Sequence, residues 1–224
     1  YTGALLFSPE KQRVSADTLG LAEAVQADFL EYVEQEGVVQ PMLSLRVNSR
    51  ISGYVERIVA EGWFHLGAYG RAEEVMNAYR RDGGTMGRSE NYLFGYSLYR
   101  QARYAEALPY LQQVCGADDA LTQNASYHLA DCYLRSSDKQ RAMQSFAMAA
   151  NESFDAAIAE DALFNYGKLQ YELGGGVFNE AIHVLNRYIA QYSASERTVQ
   201  ARELLIAAYY NSRNYDAAYT ALKH

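Results

Sequence analysis

The apolar positions of this chain recur at offsets of three and four residues, in pairs of short runs. The clearest pair lies in Ser89–Val114, SENYLFGYSLYRQARYAEALPYLQQV. Phe94, Gly95 and Leu98 mark one face of the first run, and Ala107, Leu111 and Val114 one face of the second. That spacing predicts two amphipathic helices, with a turn at Ala102–Arg103 followed by Tyr104. A small residue sits mid-face in each helix, Gly95 and Ala107. Small residues there let antiparallel helices approach closely, because the interaxial distance follows from the side chains at the contact. One such hairpin cannot bury its outer faces alone and needs neighbours of its own kind.

The same pattern returns along the chain. Thr18 to Glu36 carries Leu21, Val25, Phe29 and Tyr32 at helical spacing, and Gly37 and Pro41 end it. A longer helix is predicted over about 42–66, with Val59, Ala60 and Trp63, then a turn at Gly67–Ala68, then Tyr69, Ala72, Met76 and Tyr79. Beyond Val114, Leu129, Ala130 and Tyr133 lead through a turn at Ser136–Asp138 to Ala142, Phe146 and Ala149. Tyr166, Gly167 and Tyr171 lead through Gly174-Gly175-Gly176 to Phe178, Ala181, Leu185 and Tyr188. Leu205, Ile206 and Tyr209 lead through Arg213 to Tyr215, Ala218 and Leu222. The alanines opening the second helices, Ala72, Ala107, Ala142, Ala181 and Ala218, are 35, 35, 39 and 37 residues apart. Four of them have an aromatic residue three positions earlier (Tyr69, Tyr104, Phe178, Tyr215); Lys139 breaks that rule. The periodicity predicts an all-α chain: a segment 1–52 holding a degenerate helical cap or partial repeat, then about five hairpins over 53–86, 87–121, 122–158, 159–197 and 198–224.

Composition narrows the function. Only 3 prolines interrupt 224 residues, nearly half of them apolar, as helix formation favours. The formal net charge of −7 lacks the basic stripe that a phosphate footprint needs, so no nucleic-acid partner is expected. No apolar run approaches a transmembrane span. Tyr1 is not an initiator residue, so the chain is read as part of a longer product.

This period resembles the tetratricopeptide repeat (TPR) family over roughly residues 53–224. The family's small–aromatic–small signature falls on Gly95, Tyr104 and Ala107 and their equivalents; its early Trp and its Pro after the second helix are absent. The resemblance implies a right-handed α-solenoid whose first helices line a concave surface, working as a non-catalytic protein-interaction scaffold. Late in the chain, Tyr192-Ser193-Ala194-Ser195 between repeats and the Y-E-L-G-G-G-x-F-N-E-A-I run resemble the BamD and YbgF (CpoB) types of the bacterial cell envelope. That implies the periplasm or the periplasmic face of the outer membrane, with any lipid anchor outside this stretch. The rivals are a cytoplasmic adaptor or co-chaperone, a docking module of an enzyme, and a glycan or peptidoglycan binder.

Candidate binding residues follow from the inner surface that the resemblance implies. Tyr92, Tyr96 and Tyr99 are spaced to share a helix face, and Tyr127, Phe164, Tyr171 and Tyr210 continue the stripe. Tyr combines apolar area with a hydroxyl and suits an interface. The stripe reads either as a groove gripping an extended or helical peptide or as packing between repeats. The positions comparable to a chaperone-tail clamp hold Arg57 and Glu61, Tyr92 and Tyr96, Tyr127 and Asp131, and Phe164 and Lys168, which is no carboxylate clamp. Arg100 and Arg135 extend the surface, with Asp131 nearby. A polar-aromatic and basic segment suits it better than a plainly anionic one. Cys115 and Cys132 could pair in an oxidising compartment, but two small buried thiols are the favoured reading. His128 and Cys132 lie four apart without a second ligand pair, so no metal or other cofactor is expected. The last repeat ends inside its second helix, which leads the reading to expect further helix or self-association through the repeat ends.

Overall fold

A computed structural model describes residues 49–223, all within the second of two units into which the chain divides, Val47–His224. The predicted helix over 18–36 and the cap in 1–52, apart from its last residues, lie outside the described part. Ten helices and no strand occur among the described residues. They are α1 (Ser49–His65), α2 (Tyr69–Arg81), α3 (Arg88–Arg100), α4 (Tyr104–Gln112), α5 (Ala120–Arg135), α6 (Lys139–Asn151), α7 (Ala156–Leu173), α8 (Asn179–Gln191), α9 (Thr198–Asn211) and α10 (Tyr215–Leu222).

Each odd-numbered helix packs on the even-numbered helix that follows it. The odd helices also pack on one another, α1 to α3 and onward to α9, whereas among the described residues the even helices meet only through long side chains, Arg80 reaching Tyr110 and Arg187 reaching Ala150. A stack in contact along one layer and spread along the other curves toward the contacting layer. The odd helices therefore form the inner layer of an α-solenoid.

The turns inside four of the five hairpins share one device. Gly67, Ala102, Ser137 and Arg213 all adopt positive φ, between 60° and 74°. In each case the next amide donates back to a carbonyl five residues earlier, as Arg103 does to Leu98 at 3.0 Å and Asp138 to Tyr133 at 2.8 Å. This is the left-handed closure that satisfies the last carbonyls of a helix. One residue on, Asp138 and Asn214 cap the next helix by accepting from the amides of Arg141 and Ala217.

Close approach sets the hairpin spacing. A Cβ on Gly95 would stand 3.0 Å from Leu111 and 3.1 Å from Tyr110, and one on Gly167 would stand 3.1 Å from Leu185. Ala72, Ala107, Ala142, Ala181 and Ala218 are all buried. Four residues after each comes Met76, Leu111, Phe146, Leu185 or Leu222; the first four are buried, and Leu222 is exposed.

The joints between hairpins use one repeat position. Arg88 donates to the Val114 carbonyl (2.9 Å), to the carboxylate of Asp119 (2.7 and 2.9 Å) and to Thr122. Thirty-five residues later the buried Gln123 amide donates to the carbonyls of Ala149, Glu152 and Asp155 and accepts from the Asp155 amide at 2.7 Å. At the following equivalent, Glu160 accepts from the hydroxyls of Tyr188 and Ser195. Ser195 belongs to the Tyr192–Ser195 link, so a side-chain hydrogen bond holds that joint without the proline.

Candidate inner-face site

The tyrosines of the predicted stripe are gathered into a block spanning α1, α3 and α5. Phe64 meets Tyr69, Tyr92 and Tyr96 at ring separations of 5.8, 6.4 and 5.4 Å. Tyr92 stacks on Tyr96 at 5.6 Å, and Tyr96 leans on Tyr99 at 5.8 Å. His128 of α5 lies against Tyr96 at 4.7 Å, Tyr99 at 4.9 Å and Tyr127 at 5.5 Å. These edge-on and offset contacts are favourable ring geometries. Tyr92, Tyr96, Tyr99 and Tyr127 are each half-buried by them, so much of the stripe is joint between repeats.

Polar partners fasten the block. The Tyr99 hydroxyl donates to Asp131 at 2.9 Å, and the Tyr127 hydroxyl donates to Asp161 at 2.7 Å. Burial and these carboxylates push both phenols above the ordinary tyrosine range. Arg135 donates to Asp131 at 3.5 Å and lies 5.4 Å from the Tyr104 ring. Arg197 pairs with Asp161. Arg100 donates to the hydroxyls of Tyr69 (2.9 Å) and Tyr96 (3.1 Å), with its guanidinium carbon 4.7 Å from the Tyr69 ring centre. His128 is enclosed, its Nδ1 has no hydrogen-bond partner among the described residues, and burial pushes its pKa down to about 4.

The remaining candidates separate. Phe164 is only 7% exposed, packs on Tyr188 at 5.5 Å and lies under the Arg197 guanidinium. It serves the core between α7 and α8 and is not part of an open groove. Tyr171 is half-buried on Phe178 at 5.4 Å and accepts from the Asn211 amide. Lys168 is exposed, as is Tyr210, which stands edge-on to Tyr215 at 5.4 Å. Cys115 and Cys132 are free thiols. Cys115 shares a hydrogen bond with the Ser126 hydroxyl at 3.4 Å, and burial pushes Cys132 up to about 12.

Three contributors were missed in the sequence reading: Phe64, Tyr69 and His128. Phe64 and Tyr69 stand 35 residues before Tyr99 and Tyr104, so the repeat offset itself was the signal. The Lys139 exception is also resolved. In the first three hairpins the residue opening the second helix contacts the last turn of the next first helix: Tyr69 with Arg100, Tyr104 with Arg135, and Lys139 with Glu172 at 2.6 Å. Where the tyrosine becomes a lysine, the arginine becomes a glutamate.

Among the described residues no helix is long and apolar enough to cross a membrane. Residues 92–163 match one tetratricopeptide-repeat family model, and residues 161–195 match another. Among solved structures the chain is similar to the MamA protein, with a TM-score of 0.55 and 15% identity over 77% of this chain and 88% of that one. It is also similar to the nearly identical TPR-like repeats of a Podosopora anserina kinesin light chain, with a TM-score of 0.50 and 14% identity over 78% and 92%. At these identities the likeness is one of fold. No curated protein matches the sequence.

Proposed function

We propose, from the premise that the chain is a tetratricopeptide-repeat protein, that its inner helix layer is the binding face for a partner's peptide segment. An interaction scaffold is what the family implies, and its repeats are as a rule not catalysts. The observation that carries the finer reading is the contrast within the inner layer. Rings and carboxylates are locked between repeats, while Arg100, Arg135, Lys168 and Tyr210 remain exposed along it. A face fixed by its own contacts loses little freedom on binding, so the ordering cost falls on the partner segment. The cell-envelope setting belongs to the same proposal and rests on the resemblance of the Tyr192–Ser195 link and the Gly174–Gly176 run.

The test uses a displayed library of random peptides of about twelve residues, long enough for a groove-bound segment. Enriched peptides would then be photo-crosslinked from benzoylphenylalanine placed at Lys168 or Tyr210 on the inner layer, or at Met148 on α6, which is exposed. Crosslinks from the inner positions and none from Met148 are expected. Crosslinking from Met148 instead, or the absence of any enriched peptide, overturns the reading.

A further inference from the structure

Asp131, Asp161 and Glu61 of the inner layer already have partners within the chain. Asp131 holds the Tyr99 hydroxyl and Arg135, and Asp161 holds Tyr127, Asn165 and Arg197. Glu61 pairs with Arg57 at 2.6 Å. A basic segment would have to compete with these cations. Among the described arginine side chains of α1, α3 and α5, Arg57 is matched to Glu61, Arg88 to Asp119 and Arg135 to Asp131. Arg100 is the exception among them.

The comparison with Arg135 shows why. The two arginines occupy the same repeat position, 35 residues apart. Four residues before Arg135 stands Asp131; four residues before Arg100 stands Tyr96. Arg100 therefore ends on phenol oxygens instead of a carboxylate. Its Nη1 donates to both Tyr69 and Tyr96, and its plane is held near the Tyr69 ring. A guanidinium carries five N–H donors, and the Nε and Nη2 side of this one makes no hydrogen bond among the described residues. That side presents the fork that fits a carboxylate in two parallel bonds. Phe64, Tyr69 and Tyr96 supply an aromatic wall behind it, their rings 5.4 to 5.8 Å apart. The cation is fixed in orientation, has no carboxylate partner among the described residues and stands beside apolar surface.

We propose that Arg100, framed by Tyr69 and Tyr96, is the anchor for an aspartate or glutamate side chain in the partner segment, next to an apolar or aromatic residue of that segment. This rests on the inner-layer reading above and reverses the basic ligand expected from the sequence.

The same random library, selected in parallel on the intact chain and on its Arg100→Gln and Arg100→Lys variants, tests it. Arg100 is exposed, and an unchanged far-ultraviolet circular dichroism spectrum controls for folding. The wild type should enrich sequences that place Asp or Glu beside Phe, Tyr, Leu or Ile. Arg100→Gln should keep the apolar preference and lose the acidic one, and Arg100→Lys should retain the acidic preference in part. A synthesised winner should bind the wild type roughly tenfold more tightly than its Glu→Gln version does, the loss of a charge-assisted pair. Amidating its C-terminus should leave its affinity unchanged. Acid enrichment that is absent, or that persists undiminished in Arg100→Gln, overturns the assignment while leaving the inner-layer reading intact. Affinity lost on amidation places the carboxylate at a chain end and overturns the side-chain assignment. A selection that returns nothing from any of the proteins overturns the inner-layer reading and this inference with it.

Discussion

From α1 to α5 the inner layer is joined by rings; from α5 to α9 it is joined mainly by charges. The first region carries Phe64, Tyr69, Tyr92, Tyr96, Tyr99 and His128 in mutual contact, with Arg100 among them. The second carries Asp161 with Arg197 and Lys139 with Glu172. The backbone plan is the same in both. What repeats is the need for a complementary contact at fixed positions, and the sequence meets it with two chemistries. Ring contacts of this kind are worth about 0.5–1.5 kcal/mol each beyond their area and do not depend on salt. Partly exposed ion pairs are worth about 0–1 kcal/mol and are screened. The two regions should therefore respond differently to acid, to loss of hydroxyls and to ionic strength.

Acid should separate them most strongly. His128 is enclosed by Tyr96, Tyr99 and Tyr127, with Asp131 favouring its proton and Arg100 opposing it; burial dominates and holds its pKa near 4. In the unfolded chain the imidazole titrates near 6.5, so between those values the unfolded state binds the extra proton. The stabilisation from keeping His128 neutral is complete above pH 6.5 and is lost as pH falls toward 4, by up to about 3 kcal/mol. Urea unfolding followed from pH 7 to pH 4 should show this slope, with amide exchange in α3 and α5 accelerating first. His128→Phe should flatten the slope. A slope that survives the substitution would assign it to other groups.

Loss of one hydroxyl should be smaller and should grade along the stack. Tyr99→Phe leaves Asp131 with Arg135 at 3.5 Å, a long contact, and should cost about 1–2 kcal/mol as the carboxylate loses its short bond. Tyr127→Phe leaves Asp161 with Arg197 and Asn165, and should cost about 1 kcal/mol or less. Thermal unfolding of the two variants gives the order; equal costs would mean that the charged partners of Asp161 add nothing.

The parts of this arrangement that could be read beforehand were those that depend on period alone. The five opening alanines recur because close packing is required in each hairpin, and the turns at Gly67, Ala102, Ser137 and Arg213 recur because four of the hairpins use the same left-handed closure. The roles of individual rings were not legible in the same way. A ring at helical spacing on a first helix faces solvent or a neighbour depending on what the adjacent repeat supplies. Phe164 fits the stripe as well as Tyr127 does, yet Tyr188 and Arg197 cover it. His128 is a lone histidine until the 35-residue offset sets Tyr96 and Tyr99 on one side of it and Tyr127 on the other. Lys139 looked like a lapse in the pattern because its partner, Glu172, lies 33 residues away in another helix. Period reports the backbone plan; which chemistry fills a joint depends on pairs of residues that periodicity treats separately.

The Lys139–Glu172 joint offers the smallest effect and the most direct exchange between the two chemistries. Both side chains are partly exposed, so Lys139→Glu or Glu172→Lys alone should cost only about 0.5 kcal/mol at low salt. The double swap should recover most of that cost, and the coupling should fade near 0.5 M salt as screening shortens to a few ångströms, about 4 Å. Replacing the pair by its counterpart, Lys139→Tyr with Glu172→Arg, installs the contact found at Tyr69 with Arg100. If ring and charge are interchangeable solutions to one joint, this double variant should match the wild type at low salt and exceed it by about 0.5 kcal/mol at high salt, because a cation over a ring is the less screened contact. Denaturant titrations of the four proteins at two salt concentrations measure this as a double-mutant cycle. A transplanted pair that is no better than its single substitutions would show that the Tyr–Arg contact depends on the surrounding rings. The aromatic region would then be one cooperative block, in contrast to the separable ion pairs beyond it.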